Sequence, residues 1–168
     1  MHLPDAEQLL ADLAEKMRPD ITKNTVLVGI YTGGVWLAKR LCQTLELTLP
    51  LGSLDVSFYR DDFGQIGLHH QVKPSSIPFE VEGRHIILID DVLYTGRTIR
   101  AAINELFDYG RPASVRLAAL VDRGGRELPV SANYVGATIV LLEDKMLALE
   151  QSNSGKLSLS LYDKISPG

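Results

Sequence analysis

The chain has 168 residues, 45% of them apolar, which suits one domain with its own core, and its single cysteine, Cys42, excludes an intrachain disulfide or a multi-cysteine metal cluster. Lys and Arg number 17 against 21 Asp and Glu, a net charge of −4 that argues against a surface basic all over while leaving room for a local basic patch. No apolar run approaches the ~18 residues of a bilayer span, and Met1-His2-Leu3-Pro4-Asp5 lacks the profile of a signal peptide, so a cytoplasmic protein is expected.

Leu9, Leu10, Leu13 and Met17 share one face at helical spacing, with Asp5 as cap, Gln8 at the capping-box position and Pro19 as the stop. Val26-Leu27-Val28-Gly29-Ile30 reads as a strand buried on both faces. Tyr31-Thr32-Gly33-Gly34 breaks it, and a helix follows with Leu37, Leu41 and Leu45 stacked at steps of four. Leu54, Val56 and Phe58 alternate with Asp55, Ser57 and Tyr59, the pattern of a strand. Periodicity then lapses from Arg60 to Glu82, where Gly64, Gly67, Pro74 and Pro78 sit among polar residues. A loop this long inside a domain is often functional, although a polar hairpin over Gln65–Val72 would also fit. Ile86-Ile87-Leu88-Ile89 is a second buried strand, ending in Asp90-Asp91. After Leu93–Thr98 comes a helix with Ile99, Ile103, Leu106 and Phe107 inward, closed by Gly110 and Pro112. Val115–Val121 forms a further strand. Strand and helix therefore alternate from 26 to 121, which predicts an α/β domain with a mostly parallel central sheet flanked by helices and right-handed crossovers. Met146–Glu150 and Leu157–Leu161, around Ser152-Asn153-Ser154-Gly155, read as an edge β-hairpin.

Ligands of open α/β sheets bind beyond the carboxyl ends of the strands, and three such ends here carry unusual residues. Asp90-Asp91 would be costly to bury without partners. Adjacent strand residues point to opposite faces, so at least one acid is expected to face a ligand. Thr95-Gly96-Arg97-Thr98 then supplies hydroxyls, a close backbone approach and a helix N-terminus suited to phosphate. Acids for sugar hydroxyls followed by an anion cradle suggest a phosphorylated sugar. Turn capping by Asp91 and Thr98 is the blander explanation, and the whole combination outweighs it. Tyr31–Gly34 offers a second anion site, a plain tight turn being equally good when that segment is taken alone. At Tyr59-Arg60-Asp61-Asp62, Arg60 has forked donors for phosphate, against the simpler reading of a solvated charged loop. Asp122–Glu127 reads either as the lining of a base pocket or as an ion-paired turn. His69 and His70 lack further ligands at metal spacing and read as solvent-facing, Cys42 as a buried thiol, and Trp36 as core or interface.

These residues together carry a resemblance. Ile86–Thr98 resembles the phosphoribosyl-pyrophosphate (PRPP) motif of type I phosphoribosyltransferases. Val28–Val35, Leu54–Asp62, Asp90–Thr98, Gly110-Arg111-Pro112 and Leu120–Pro129 together resemble the PyrR family, bifunctional pyrimidine-operon attenuation regulators and uracil phosphoribosyltransferases. The resemblance runs from the first helix to the last strand. It implies one phosphoribosyltransferase domain over 1–168, with a flexible catalytic loop over about 60–82 and a C-terminal hairpin hood over about 145–162. The implied reaction is uracil plus PRPP giving UMP and pyrophosphate, with Mg2+ accompanying PRPP. Asp90 and Asp91 would serve the ribose hydroxyls and the magnesium, directly or through water or substrate. Tyr94, Thr95, Gly96, Arg97 and Thr98 would hold the 5′-phosphate, Thr32, Gly33 and Gly34 the pyrophosphate, and Val121, Asp122 and Arg123 the base. Arg60 would act from the catalytic loop. The implied partners are PRPP, uracil, UMP and further copies of the chain, as dimer or tetramer, with no membrane.

The chain also departs from the family pattern. Many members have Thr-Arg-Gly where Thr32-Gly33-Gly34 stands. Gram-positive regulators typically have His at Gly125, Arg at Ser131 and Lys near Ala137, part of a basic RNA-binding surface. Those three positions are neutral here, which should weaken RNA binding and flatten its salt dependence. The transferase reading is therefore favoured. The alternatives are an RNA-binding attenuator that senses UMP or PRPP with little catalysis, and a transferase for another base such as hypoxanthine.

Overall fold

A computed structural model describes residues 2–56 and 75–164. Helix α1 (Ala6–Met17) starts where the Asp5 side chain accepts from the Glu7 N–H at 3.0 Å. The expected capping box does not close, because Gln8 donates forward to Asp12, 2.9 Å away. Pro19 does not stop the chain abruptly. It sits in a single 3-10 turn over Arg18–Asp20, where its missing N–H goes unneeded. Strand β1 (Thr25–Ile30) is buried throughout and leads into α2 (Gly33–Thr44), then β2 (Gly52–Leu54). Strand β3 (His85–Leu93) continues through Asp90 and Asp91 rather than ending at them. Helix α3 (Arg97–Tyr109), β4 (Ser114–Asp122) and β5 (Tyr134–Thr138) follow, and β6 (Lys145–Gln151) with β7 (Leu157–Asp163) close the described chain.

Among the described residues five strands form one sheet in the order β2-β1-β3-β4-β5, every neighbouring pair parallel. The most apolar strands, β1, β3 and β4, take the centre, as two-sided burial demands. The register sets Gly29 beside Ile89, and Asp90 beside Ala119, so the acids emerge at one end of the sheet, between the strands that lead into α2 and β5. Alternation along β3 splits the core in two. Ile87 and Ile89 pack with Leu13, Leu37 and Leu41 of α1 and α2, whereas Ile86 and Leu88 pack with Ile99 and Leu106 of α3.

The hairpin is antiparallel, from Lys145 opposite Asp163 to Gln151 opposite Leu157, and its Leu147, Leu149 and Leu157 join the core on the α1/α2 side. Strand β5 has no counterpart among the elements expected from the sequence; it carries Gly136 and is mostly half-buried, so no apolar run announces it. Only part of the loop expected over about 60–82 is described. Residues 60–74, with Arg60, His69, His70 and the suggested hairpin, lie outside the described residues, as do Ser57–Tyr59 of the expected strand. Residues 75–82 are seated: Ser76 exchanges two 2.8 Å backbone bonds with Ser53, and Val81 is buried. No described helix is long and apolar enough to cross a membrane.

Candidate active site

Asp90 and Asp91 are 4% and 8% exposed, so each carboxylate must be answered by nearby donors. The backbone supplies some of them: Asp90 Oδ1 accepts from the Asp91 N–H at 2.9 Å, and Asp91 Oδ1 from the Val92 N–H at 2.8 Å. These bonds fold the carboxyl groups back along the strand end and fix their direction.

Asp91 faces the start of α2. A Cβ at Gly33 would lie 2.5 Å from Asp91 Oδ2 and 2.9 Å from its Cγ, so only glycine lets this carboxylate settle against the helix N-terminus. Thr32 precedes that helix as its N-cap without a side-chain bond, and the peptide between Tyr31 and Thr32 is cis. Gly33 and Gly34 are buried. The structure thus brings the predicted pyrophosphate segment and Asp91 into direct contact.

On the other side, Tyr94–Gly96 turns into α3. Gly96 is in the left-handed region, Thr95 Oγ1 accepts from the Arg97 N–H at 3.2 Å, and Thr95 and Thr98 are both buried. The loop after β4 frames this turn. Glu127 and Leu128 donate their N–H groups to the Thr95 carbonyl, at 2.9 and 3.2 Å. Arg97 is half-exposed and paired with Glu127, its Nε and Nη2 lying 2.9 and 2.8 Å from Oε1. A phosphate contact from Arg97 would therefore compete with Glu127.

The residues predicted for the base divide. Val121 is fully buried in the core, so its side chain is packing. Asp122 has both carboxylate oxygens engaged: Oδ1 accepts from the Gly124 N–H at 2.9 Å and Oδ2 from Arg126 at 2.6 Å. Burial pushes the Asp122 carboxyl up, but the Arg126 bond, the Gly124 N–H and the Arg126 charge outweigh it and hold the group below its ordinary 3.8. Of the two sequence readings of this segment, Asp122 matches the ion-paired turn. Arg126 also donates to the carbonyls of Tyr94 and Val130, both at 2.7 Å, so it ties this turn to the predicted phosphate segment. Sequence reasoning gives Arg126 no role of its own, since these partners emerge only from the folded loop. Arg123 is buried, reaches toward the hairpin, and carries an Nε that finds no partner among the described residues. An unmet buried donor costs about 1–3 kcal/mol.

Two carboxylates at the mouth of a parallel sheet, flanked by two strand-to-helix turns, suit a ligand that is polyhydroxylated between two anionic ends. As hard oxygen donors, Asp90 and Asp91 also fit a magnesium ion, which takes one or two carboxylates and keeps its waters and substrate phosphates.

Comparison with known proteins agrees with this geometry. Residues 2–146 match the phosphoribosyl transferase domain family. The chain is 53% identical over 167 residues to the bifunctional protein PyrR of Pseudomonas syringae pv. syringae (strain B728a), covering 97% of each. It is 52% identical over 153 residues to the protein of the same name from Pseudomonas aeruginosa (strain LESB58), covering 89% of this chain and 90% of that one. Among solved structures, a hypoxanthine-guanine phosphoribosyltransferase from Bacillus anthracis superposes with TM-score 0.65 at 20% identity, covering 83% of each chain. A hypoxanthine phosphoribosyltransferase from Staphylococcus aureus gives TM-score 0.65 at 23% identity, over 86% of this chain and 79% of that one. These two likenesses show the fold. With the domain family matched over most of its length and PyrR proteins alike from end to end, the chain belongs to the PyrR family of type I phosphoribosyltransferases.

Proposed function

We propose that this phosphoribosyltransferase makes UMP from uracil and PRPP. The observation that carries the reading is the buried Asp90–Asp91 pair held between the α2 N-terminus and the Tyr94–Thr98 turn. Membership of the PyrR family, whose resemblance implies a uracil phosphoribosyltransferase, supports uracil as the base. In the reaction uracil N1 bonds to the ribose C1 as the bond from C1 to pyrophosphate breaks, and the N1 proton leaves. Positive charge grows on the ribose carbon and negative charge on the leaving group. Asp90 and Asp91 hold the ribose hydroxyls beside the developing cation. Thr32, Gly33 and Gly34 receive the pyrophosphate on backbone N–H groups, and Thr95–Thr98 the 5′-phosphate. Asp90 and Asp91 would hold the magnesium that accompanies PRPP, which would supply charge neutralisation for the leaving pyrophosphate. Arg60, outside the described residues, belongs to the same proposal as a cation for the leaving group, from a loop that excludes water when closed.

The test is a purified assay with PRPP, Mg2+ and each free base. UMP from uracil, with little product from hypoxanthine, is the expected result; product from hypoxanthine alone would replace the base, and no product with any base would favour a UMP or PRPP sensor. Arg60→Ala is expected to lower turnover by ~10²-fold or more while the melting temperature stays put, and unchanged turnover would remove Arg60 from the mechanism. A regulatory second role is what the resemblance to the PyrR family implies, and the relatives' name, bifunctional, is in keeping with a second function. Gly125, Ser131 and Ala137 supply no cations for it, so a salt-series gel shift with pyrimidine-operon leader RNA should show weak binding and a shallow slope. A cytoplasmic dimer or tetramer completes the proposal, and analytical ultracentrifugation reads the copy number.

A further inference from the structure

One side chain joins the hairpin to the turn that precedes α3. Arg123 is 9% exposed and sends Nη1 to the Lys145 carbonyl at 2.9 Å and Nη2 to the Leu142 carbonyl at 3.3 Å, both at the root of the hairpin. The face of the same guanidinium lies on Tyr94, with Cζ 4.0 Å from the ring centroid. Tyr94 is itself held in place. Arg126 donates to its carbonyl at 2.7 Å, and its ring fills the space that a Cβ on Gly125 would need. The other strand of the hairpin reaches the same ring, since Lys164, just past β7, places Nζ 5.5 Å from the centroid. Both ends of the hood thus converge on the first residue of the phosphate turn.

We propose that Arg123 is a positioning residue that couples occupation of the 5′-phosphate turn to seating of the hood. The geometry asks for arginine. Its planar fork meets two carbonyls at once while its face stacks on the ring, whereas a lysine is a single point charge and can do one of these. The unpartnered Nε is consistent with a side chain held for that bridge rather than for its own hydrogen-bond satisfaction. Phosphate binding would fix Tyr94, Tyr94 would fix the guanidinium, and the guanidinium would fix the carbonyls of 142 and 145. By linkage, a seated hood tightens phosphate binding by the same factor.

The inference rests on the assignment of Tyr94–Thr98 to the 5′-phosphate, and the experiment reads both. Amide hydrogen exchange is followed with and without ribose 5-phosphate. In the parent protein, protection is expected at residues 94–98 and also at 142–151. In Arg123→Lys, at ribose 5-phosphate concentrations that saturate both proteins, the protection at 94–98 stays and the increment at 142–151 shrinks by ~5-fold or more. Tyr94→Leu, which removes the ring but keeps both carbonyl bonds, should uncouple the hood as well, and it decides the matter if Arg123→Lys fails to fold. Equal hood protection in parent and variants, or a protected turn beside an unprotected hood in the parent, overturns the coupling. No protection at 94–98 overturns the phosphate assignment and the coupling with it.

Discussion

A methyl group on residue 33 would put its carbon 2.5 Å from Asp91 Oδ2, which makes Gly33 a part of the acid's geometry. Gly33→Ala forces the carboxylate to turn away from the α2 N-terminus. Misplacement of a reacting-site group by about an ångström costs up to ~10²-fold, so kcat/KM should fall by about 10–100-fold. The melting temperature should fall too, by about 2–4 °C for each kcal/mol lost, because the added methyl meets the Cγ and Cβ of a buried Asp91 held by the Val92 N–H as well as its Oδ2. An unaltered kcat/KM in steady-state assays would mean that the resting position of Asp91 is unrelated to turnover. Arg126 makes the opposite case. Its removal leaves Asp122 without its ion-pair partner and the carbonyls of Tyr94 and Val130 without a donor. Arg126→Ala should therefore destabilise by about 2 kcal/mol, lowered from the cost of breaking a fully buried pair because both side chains keep about a fifth of their surface exposed. Chemical denaturation checks this, and activity measured well below the melting temperature should survive better than in Gly33→Ala.

At the scale of elements, the hairpin is anchored by residues from both N-terminal helices. Glu7 accepts the Leu157 N–H at 2.8 Å and pairs with Arg40 at 2.5 Å, and Arg40 also reaches the Gly155 carbonyl at 3.4 Å. The Arg40 bond first, then the Leu157 N–H, hold the Glu7 carboxyl below its ordinary 4.5 against the effect of burial. A carboxylate whose pKa is depressed on folding stabilises the protein above the unfolded value and loses that contribution as the pH falls through the folded one. Glu7→Gln should therefore cost about 1 kcal/mol at neutral pH, discounted for partial exposure, and the gap from the parent should close below about pH 4.5 in paired melts. None of this anchoring is readable from the chain, since residues 7, 40 and 157 come together only through tertiary packing. The elements themselves are readable in proportion to their apolar runs. Strands β1, β3 and β4, α2, α3 and the hairpin announce themselves by period or by turn residues, and the acids stand out because they interrupt a buried strand. Strand β5 gives no such signal with Gly136 at its middle, and Val81 is buried in a stretch whose prolines and polar residues read as loop. The residues bracketing the site can be found by type and spacing, but the partners that occupy Asp122 and Arg97 cannot, because those pairs are made across a folded turn.

For the whole molecule, the division between core and site makes stability and binding separable. The core lies on both faces of the sheet, whereas the acids and the two turns lie at the end of its central strands. Leu88 is fully buried at the middle of β3, so Leu88→Ala should cost about 2–5 kcal/mol and lower the melting temperature with or without ligand. A ligand that binds the folded state alone adds RT ln(1 + [L]/Kd), about 2.7 kcal/mol at 100 times Kd. For a domain of this size that corresponds to a rise of about 5–10 °C. PRPP with Mg2+ should therefore raise the melting temperature of the parent and of Leu88→Ala by nearly the same increment, from different starting points. Asp91→Asn keeps the shape of the side chain but removes the charge proposed to face ribose and metal. It should begin near the parent's melting temperature and gain only a small part of the ligand increment. Differential scanning fluorimetry over a PRPP series reads all three chains. A full increment in Asp91→Asn would take that carboxylate out of PRPP binding, whereas a reduced increment in Leu88→Ala would mean that the site depends on core packing rather than resting on it.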